Sequence, residues 1–322
     1  MRILVTGGAG FIGSHVAEAY LHAGHHVAVV DVLVGGRRSE APAGVMCYRV
    51  DIRSPQLAQV FQDERPDVVS HHAAQANLRR SITDPIFDAE TNVLGTLRVL
   101  ELSVSHHVSQ VIFSGTAGAL YGEPERLPVT EDHPVRPTSP YGLHKYLDEE
   151  YFEYYRRVHH LNTAVLRYAN IYGPRQALEL EAGVVAIFTD AFLTGQSPTV
   201  FGDGSQVRDF VYVGDVADAN LRVLGRRLNE PVHIATGVGT SVAELAARLR
   251  HLTGASVAPQ YAPAIPGEVH RIVLDPSRAE RLLGWRAEVP LEEGLRRTVE
   301  WFRERGSVRA HRSQHPAGGF DR

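Results

Sequence analysis

Cysteine is almost absent from this chain. Cys47 stands alone among 322 residues, so no disulfide can form within the chain, and a reducing, cytoplasmic location is expected. Basic blocks are missing too. Lys and Arg number 33 against 37 Asp and Glu, a net charge of −4, which argues against nucleic acid as a partner. No apolar run approaches the roughly 20 residues that cross a bilayer. One of the longest, VAVVDVLVGG, is broken by an acid and ends in glycines, so no membrane partner is expected. The opening MRILVTGG passes directly into a strand pattern, without the long apolar stretch and cleavage site of a signal peptide. Repeats, low-complexity tracts and flexible linkers are lacking as well, so the two halves of the chain are expected to share a wide cleft.

Histidine, by contrast, is plentiful at 17 residues. Many fall in adjacent pairs, such as His71–His72 and His159–His160. Neighbours on a strand or helix point in different directions and chelate poorly. No H-E-x-x-H occurs, and no metal site is expected.

What is present is a rhythm. RILVT (2–6), HVAVVD (26–31), VMCYRVD (45–51), PDVVSHHA (66–73), QVIFSGT (110–116) and NTAVLRYAN (162–170) are short Val/Ile-rich runs. Helical patterns separate most of them, at about 11–21, 55–63, 85–105 and 141–159. That alternation predicts an α/β fold, a doubly wound parallel sheet covered on both faces, over residues 1–170. Beyond NIYGP (170–174) the rhythm changes. A helix near 183–195, a strand-like stretch over 198–215 and helices at about 215–225 and 241–254 predict a smaller mixed α/β domain over 171–306. A return segment to the first domain is expected near 208–228. The tail, 307–322, has no periodicity and is expected to be disordered.

VTGGAGFIGSH lies where the first strand gives way to the first helix. Gly7, Gly10 and Gly13 fit a dinucleotide loop. The first permits a tight turn, Gly10 lets a pyrophosphate approach the helix N-terminus, and Gly13 allows helix and strand to pack closely. Asp31 ends the second strand, where an acid bonds the adenosine ribose hydroxyls. An acid there repels a ribose phosphate, so NAD is expected rather than NADP.

Downstream, SPYGLHKY (139–146) places Tyr141 and Lys145 four residues apart, on one face of a helix. Together with the glycine loop this Tyr-x-x-x-Lys resembles the extended short-chain dehydrogenase/reductase family. Its NAD-dependent sugar-nucleotide epimerase/dehydratase branch fits best, and the chain looks most like UDP-glucose 4-epimerases. The resemblance covers nearly everything before the tail. It implies a Rossmann-type domain and cofactor contacts from Phe11 and Ile12 in the loop. Further contacts come from Asp51 and Ile52 at the adenine, and from His72, Ala73, Ala74 and Gln75 under the nicotinamide ribose. Asn92 stands on a helix that recurs in relatives. It further implies a second domain that holds a nucleotide sugar, with Thr116, Asn170, Val184, Arg208 and Glu268 at the substrate. Where relatives read Arg-Pro-Gly-Asp this chain has Ile265-Pro266-Gly267-Glu268, so a diphosphate-binding guanidinium is lost and Arg271 is expected to compensate.

The implied catalytic group is Tyr141, Lys145 and Thr116, with Ser114 a competitor for the hydroxyl. A free tyrosine ionises at roughly pH 10. A nearby ammonium favours the phenolate and brings the base closer to neutral pH. Related dehydratases carry an Asp-Glu pair after the catalytic Thr; here Ala117, Gly118 and Ala119 can move no proton. The expected reaction is therefore inversion of C4 in a UDP-hexose through a transient 4-keto sugar. An epimerase of another nucleotide sugar, such as a UDP-uronate, and a non-catalytic NAD-binding regulator are the alternatives. Relatives also imply a homodimer through helices near 85–105 and 141–159. Val93, Leu97, Leu100 and Val104 could serve that contact or face the sheet.

Overall fold

The computed structural model describes residues 1–33, 41–176, 178, 183–265 and 269–314, with side chains to 305. The first half alternates as anticipated: β1 (Arg2–Thr6), α1 (Phe11–His22), β2 (His26–Asp31), β3 (Met46–Arg49), α2 (Leu57–Glu64), β4 (Val68–His71), α3 (Leu78–Thr83), α4 (Pro85–Ala89), a π-helical turn (Glu90–Leu94), α5 (Gly95–Ser105), β5 (Gln110–Thr116), α6 (Pro140–Val158) and β6 (Asn162–Tyr168). The second half supplies β7 (Asn170–Tyr172), α7 (Val184–Leu193), β8 (Thr199–Phe201), β9 (Val207–Tyr212), α8 (Val213–Val223), β10 (Val232–Ile234), β11 (Gly239–Ser241), α9 (Val242–Thr253), β12 (Gln260–Ala262), α10 (Ser277–Leu283) and α11 (Leu291–Gln314).

Seven strands form one sheet in the order β10-β6-β5-β4-β1-β2-β3, and every neighbouring pair is parallel. Side chains alternate across it. Ile3 and Val5 enter the core shared with α1 and α8, while Leu4 enters the opposite core with Leu57, Phe61, Leu100 and Phe152. Strand order reverses between β1 and β4. Such a switch point leaves a crevice at the carboxyl ends of the strands, the position for a ligand. A third core, around Tyr172, Phe188, Phe192, Phe210, Leu245 and Leu295, belongs to the smaller domain. No helix among the described residues is long and apolar enough to cross a membrane.

Three features differ from the sequence reading. The helix expected over 85–105 is preceded by α3 and broken into α4, the π turn and α5. Asp84 caps α4 by accepting from the Phe87 N–H, with Pro85 in the first turn. The return to the first sheet also reaches past residue 228. Helix α8 packs on α1 and β10 pairs with β6. Finally, α11 continues through Gln314, beyond the tail boundary set at Ser307.

Candidate active site

Backbone geometry builds the loop after β1. Gly7 has φ +68, in the left-handed region, and a Cβ there would lie 2.6 Å from the Ala73 nitrogen. Two of its neighbours lock the turn, with the Gly7 N–H donating to the Val30 carbonyl at 2.7 Å and the Gly10 N–H to the Gly7 carbonyl at 3.0 Å. At Gly13 a Cβ would sit 2.3 Å from the Gly7 oxygen, so the helix can approach the strand only without a side chain. Gly10 is different: beyond the Gly7 oxygen at 3.1 Å, a Cβ there would meet nothing within 4 Å. It is the N-cap of α1, and no side chain caps that end. Asp31 accepts from the Ala9 N–H at 3.1 Å and the Leu33 N–H at 2.9 Å, which fixes the acid at the loop.

This loop opens on a cleft of roughly 740 Å³. Gly7, Gly10, Phe11, Ile12, Gly13, Asp31, Asp51, Ile52, His72, Ala73, Ala74 and Gln75 line it, and so do Thr116, Tyr141, Lys145 and Asn170. An open helix N-terminus, a glycine free for close approach and an acid at the end of β2 suit a dinucleotide. His72 adds a buried Nδ1 with no partner in the protein. The donor set therefore fits NAD.

The three groups singled out for chemistry come from two elements. Thr116 ends β5, opposite Tyr168 of β6. Tyr141 and Lys145 ride on α6, whose start is fixed by Ser139: its hydroxyl accepts from the Gly142 N–H at 3.2 Å. Gly142 sets how closely these two elements meet, because a Cβ there would lie 2.3 Å from the Ala119 oxygen. Substituting Gly142→Ala must push α6 away from the segment after Thr116. We expect turnover to fall by about a hundredfold, the cost that a displacement of about 1 Å can carry. Steady-state kinetics, with circular dichroism to confirm folding, would check this.

Lys145 is buried, donates to the Ser114 carbonyl at 3.1 Å and lies 4.5 Å from the centre of the Phe113 ring. Ser114 and Tyr168 line the cleft as well. Burial, with the charge of Lys145, pushes His72 down to about 3, so it is neutral at working pH. His71 is a core residue, bonded to Thr6 at 2.6 Å and Thr96 at 3.0 Å. Burial raises Asp148, three residues beyond Lys145, well above the carboxylate range, and Lys145 partly offsets this.

Other expected residues lie elsewhere. Asn92 is behind the cleft wall, where its amide bonds both the N–H and the carbonyl of Gln75, at 2.8 and 3.0 Å. Val184 starts α7 and packs on the core of the smaller domain. Arg208 donates to the Val207 and His270 carbonyls, and Arg271 pairs with Val207 in an isolated bridge. Neither of these arginines lines the cleft, though the bridge sets their backbone segments side by side. Glu268 lies outside the described residues. Arg53, Arg80, Phe87 and Gln176 line the cleft without having been singled out. Only Arg53, two residues after Asp51, carried a local signal.

Known proteins resemble the chain throughout its length. A putative UDP-glucose 4-epimerase of Methanocaldococcus jannaschii is 46% identical, over 94% of this chain and 98% of the relative. The UDP-glucose 4-epimerase of Mycolicibacterium smegmatis is 41% identical over 95% and 99%. The crystal structure of the Thermotoga maritima UDP-glucose 4-epimerase with UDP-glucose superposes with a TM-score of 0.92 at 45% identity, covering 95% of this chain and 99% of that one. The Thermus thermophilus UDP-glucose 4-epimerase in complex with NAD gives 0.89 at 43% identity, covering 94% and 99%. The model of the NAD dependent epimerase/dehydratase family matches residues 3–235, from β1 through β10, and the chain belongs to that family.

Proposed function

We propose that this protein inverts C4 of a UDP-hexose, interconverting UDP-glucose and UDP-galactose, with NAD as its resident cofactor. One observation carries the reading. The cleft lined by the glycine loop is also lined by Thr116, Tyr141 and Lys145, and the three positions after Thr116 hold no acid or base. When bound, NAD supplies the acceptor and donor of the C4 hydride. Tyr141 takes the 4-hydroxyl proton and later returns it. Lys145 keeps positive charge beside the phenol and positions the ribose. Thr116 is assigned the bridge between the sugar hydroxyl and Tyr141, with Ser114, which lines the same cleft, as its competitor. Asn170 lines the same cleft, and Ala117, Gly118 and Ala119 offer no group for elimination or decarboxylation. Inversion requires the sugar to turn while its nucleotide end stays held, so grip belongs away from C4. Arg208 and Arg271 are the residues we assign to the diphosphate, with Val184 and Glu268 nearer the nucleoside.

Given UDP-galactose and no added reductant, the purified protein should yield UDP-glucose. A net-oxidised product, or turnover of UDP-glucuronate alone in the same panel, would replace this reading.

A homodimer belongs to the same proposal, through α6. Leu143, Leu147, Tyr154 and Val158 are exposed at helical spacing, 39% at the least, and Leu94 adjoins from the π turn. The stripe on α5 is not available: Leu100 is buried against the sheet and Leu97 and Val104 pack beside it. A Leu147→Glu substitution should therefore shift the sedimentation coefficient from dimer to monomer. A wild-type chain sedimenting as a monomer at micromolar concentration would remove the proposal.

A further inference from the structure

The two walls of the cleft touch each other near its Asp31 end. One wall is the segment after β3 that carries Asp51, Ile52 and Arg53; the other is α4 with the π turn behind it. Arg53 is held in its own wall by both carboxylate oxygens of Asp51, at 2.7 to 3.1 Å. From there its guanidinium reaches across, 5.1 Å from the centre of the Phe87 ring and 3.8 Å from Glu90. Arg80, exposed at the end of α3, lays its guanidinium 3.8 Å from the same ring. Just below, Ile52 presses on Gly95, where a Cβ would lie 2.6 Å from the isoleucine side chain. The ring itself is anchored from behind, since the next residue, Asp88, accepts from Gln75 at 2.6 Å and is paired with His144 of α6 at 2.6 Å.

We propose that Phe87, gripped by Arg53 and Arg80, is a clasp that closes the cleft over the adenosine end of NAD and slows its release. Arg53, Arg80 and Phe87 all line the cleft, and the Arg53 segment is tied to Asp31, whose carbonyl accepts from the Val50 N–H at 3.2 Å. A planar guanidinium over an aromatic face attracts it through the ring quadrupole, and the contact breaks and re-forms without disturbing the fold. An enzyme that regenerates its cofactor in each cycle gains from such retention. The proposal rests on NAD as the resident cofactor.

The test measures cofactor release, not turnover. Protein loaded with NADH is chased with excess NAD, and the loss of bound fluorescence gives the off-rate. Phe87→Leu keeps the bulk and loses the π face; it should release NADH about tenfold faster, the effect of two contacts of this kind. Phe87→Tyr should restore the wild-type rate. Should the Leu variant not fold, Arg80→Gln, at an exposed position, is expected to speed release in the same direction. Unchanged release in Phe87→Leu, or equal loss in Phe87→Tyr, overturns the clasp. A wild-type protein that binds no NADH contradicts the cofactor assignment instead, and a protein that retains NADH yet leaves UDP-galactose untouched contradicts only the reaction.

Discussion

Tyr141→Phe is expected to lower turnover of UDP-galactose by about a thousandfold while NAD stays bound. General acid–base groups contribute about 10² to 10⁴ in rate, and this variant removes one hydroxyl and nothing else. The position is suited to a clean result. Tyr141 lies in the first turn of α6, which Ser139 and Pro140 establish independently of the phenol. The ring is not part of the cores that hold the sheet. Thermal stability should change by no more than a few degrees, and bound cofactor measured after gel filtration should match wild type. Retained turnover in a folded Tyr141→Phe variant would remove the tyrosine from the reaction.

Arg167→Met should destabilise the protein by about 3–5 kcal/mol at pH 7, the cost of leaving one half of a buried ion pair behind. Arg167, on β6, sits beneath the active-site segments. Its guanidinium meets Glu149 of α6 through two nitrogens, at 2.7 and 2.9 Å. It also donates to the Tyr121 hydroxyl at 2.7 Å and the Glu131 carbonyl at 3.1 Å. The Tyr121 hydroxyl is in turn 2.6 Å from His233 of β10. Burial already raises Glu149, and Arg167 is the largest influence pulling it down. Without that partner the carboxyl is driven further up and takes a proton. A carboxyl raised in the folded state favours folding at low pH and loses that contribution as pH rises. The gap between variant and wild type should therefore be smaller at pH 5 than at pH 8, in urea denaturation followed by fluorescence. A second change, Glu149→Leu, should recover most of the loss, since an apolar pair can replace a buried ion pair at little cost.

Much of the site was legible in the chain because its grammar is local. Gly7, Gly10 and Gly13 occupy a strand-to-helix junction, where Gly7 and Gly13 leave no room for a side chain and Gly10 keeps the helix N-terminus open, and Asp31 follows at the end of the next strand. Tyr141 and Lys145 are one helical turn apart, a relation that needs no tertiary information. What was hidden depends on contacts between distant segments. Nothing around Asn92 reveals that both atoms of its amide are committed to the Gln75 backbone. Phe87 becomes a cleft residue only because α4 folds against the Arg53 segment. The break at Glu90–Leu94 was equally invisible, because the apolar spacing continues through it and Val93 and Leu100 still enter the core. The late strand β10 is three residues long, too short for periodicity to announce it. The two arginines assigned to the diphosphate stand on separate stretches joined by a single bridge, a pairing that spacing cannot predict.

The placement of β10 bears on how the protein is made. Until Val232–Ile234 emerges from the ribosome, β6 is a bare margin whose backbone groups could accept a strand from any neighbouring nascent chain. Domains generally fold as units during synthesis. Here the dinucleotide-binding unit stays unfinished until more than two thirds of the chain has been translated, and a fragment ending at residue 170 would lack both that strand and α8. Cutting the gene between the two halves should thus give an insoluble N-terminal product, even though nearly all of the glycine loop's own surroundings are encoded within it.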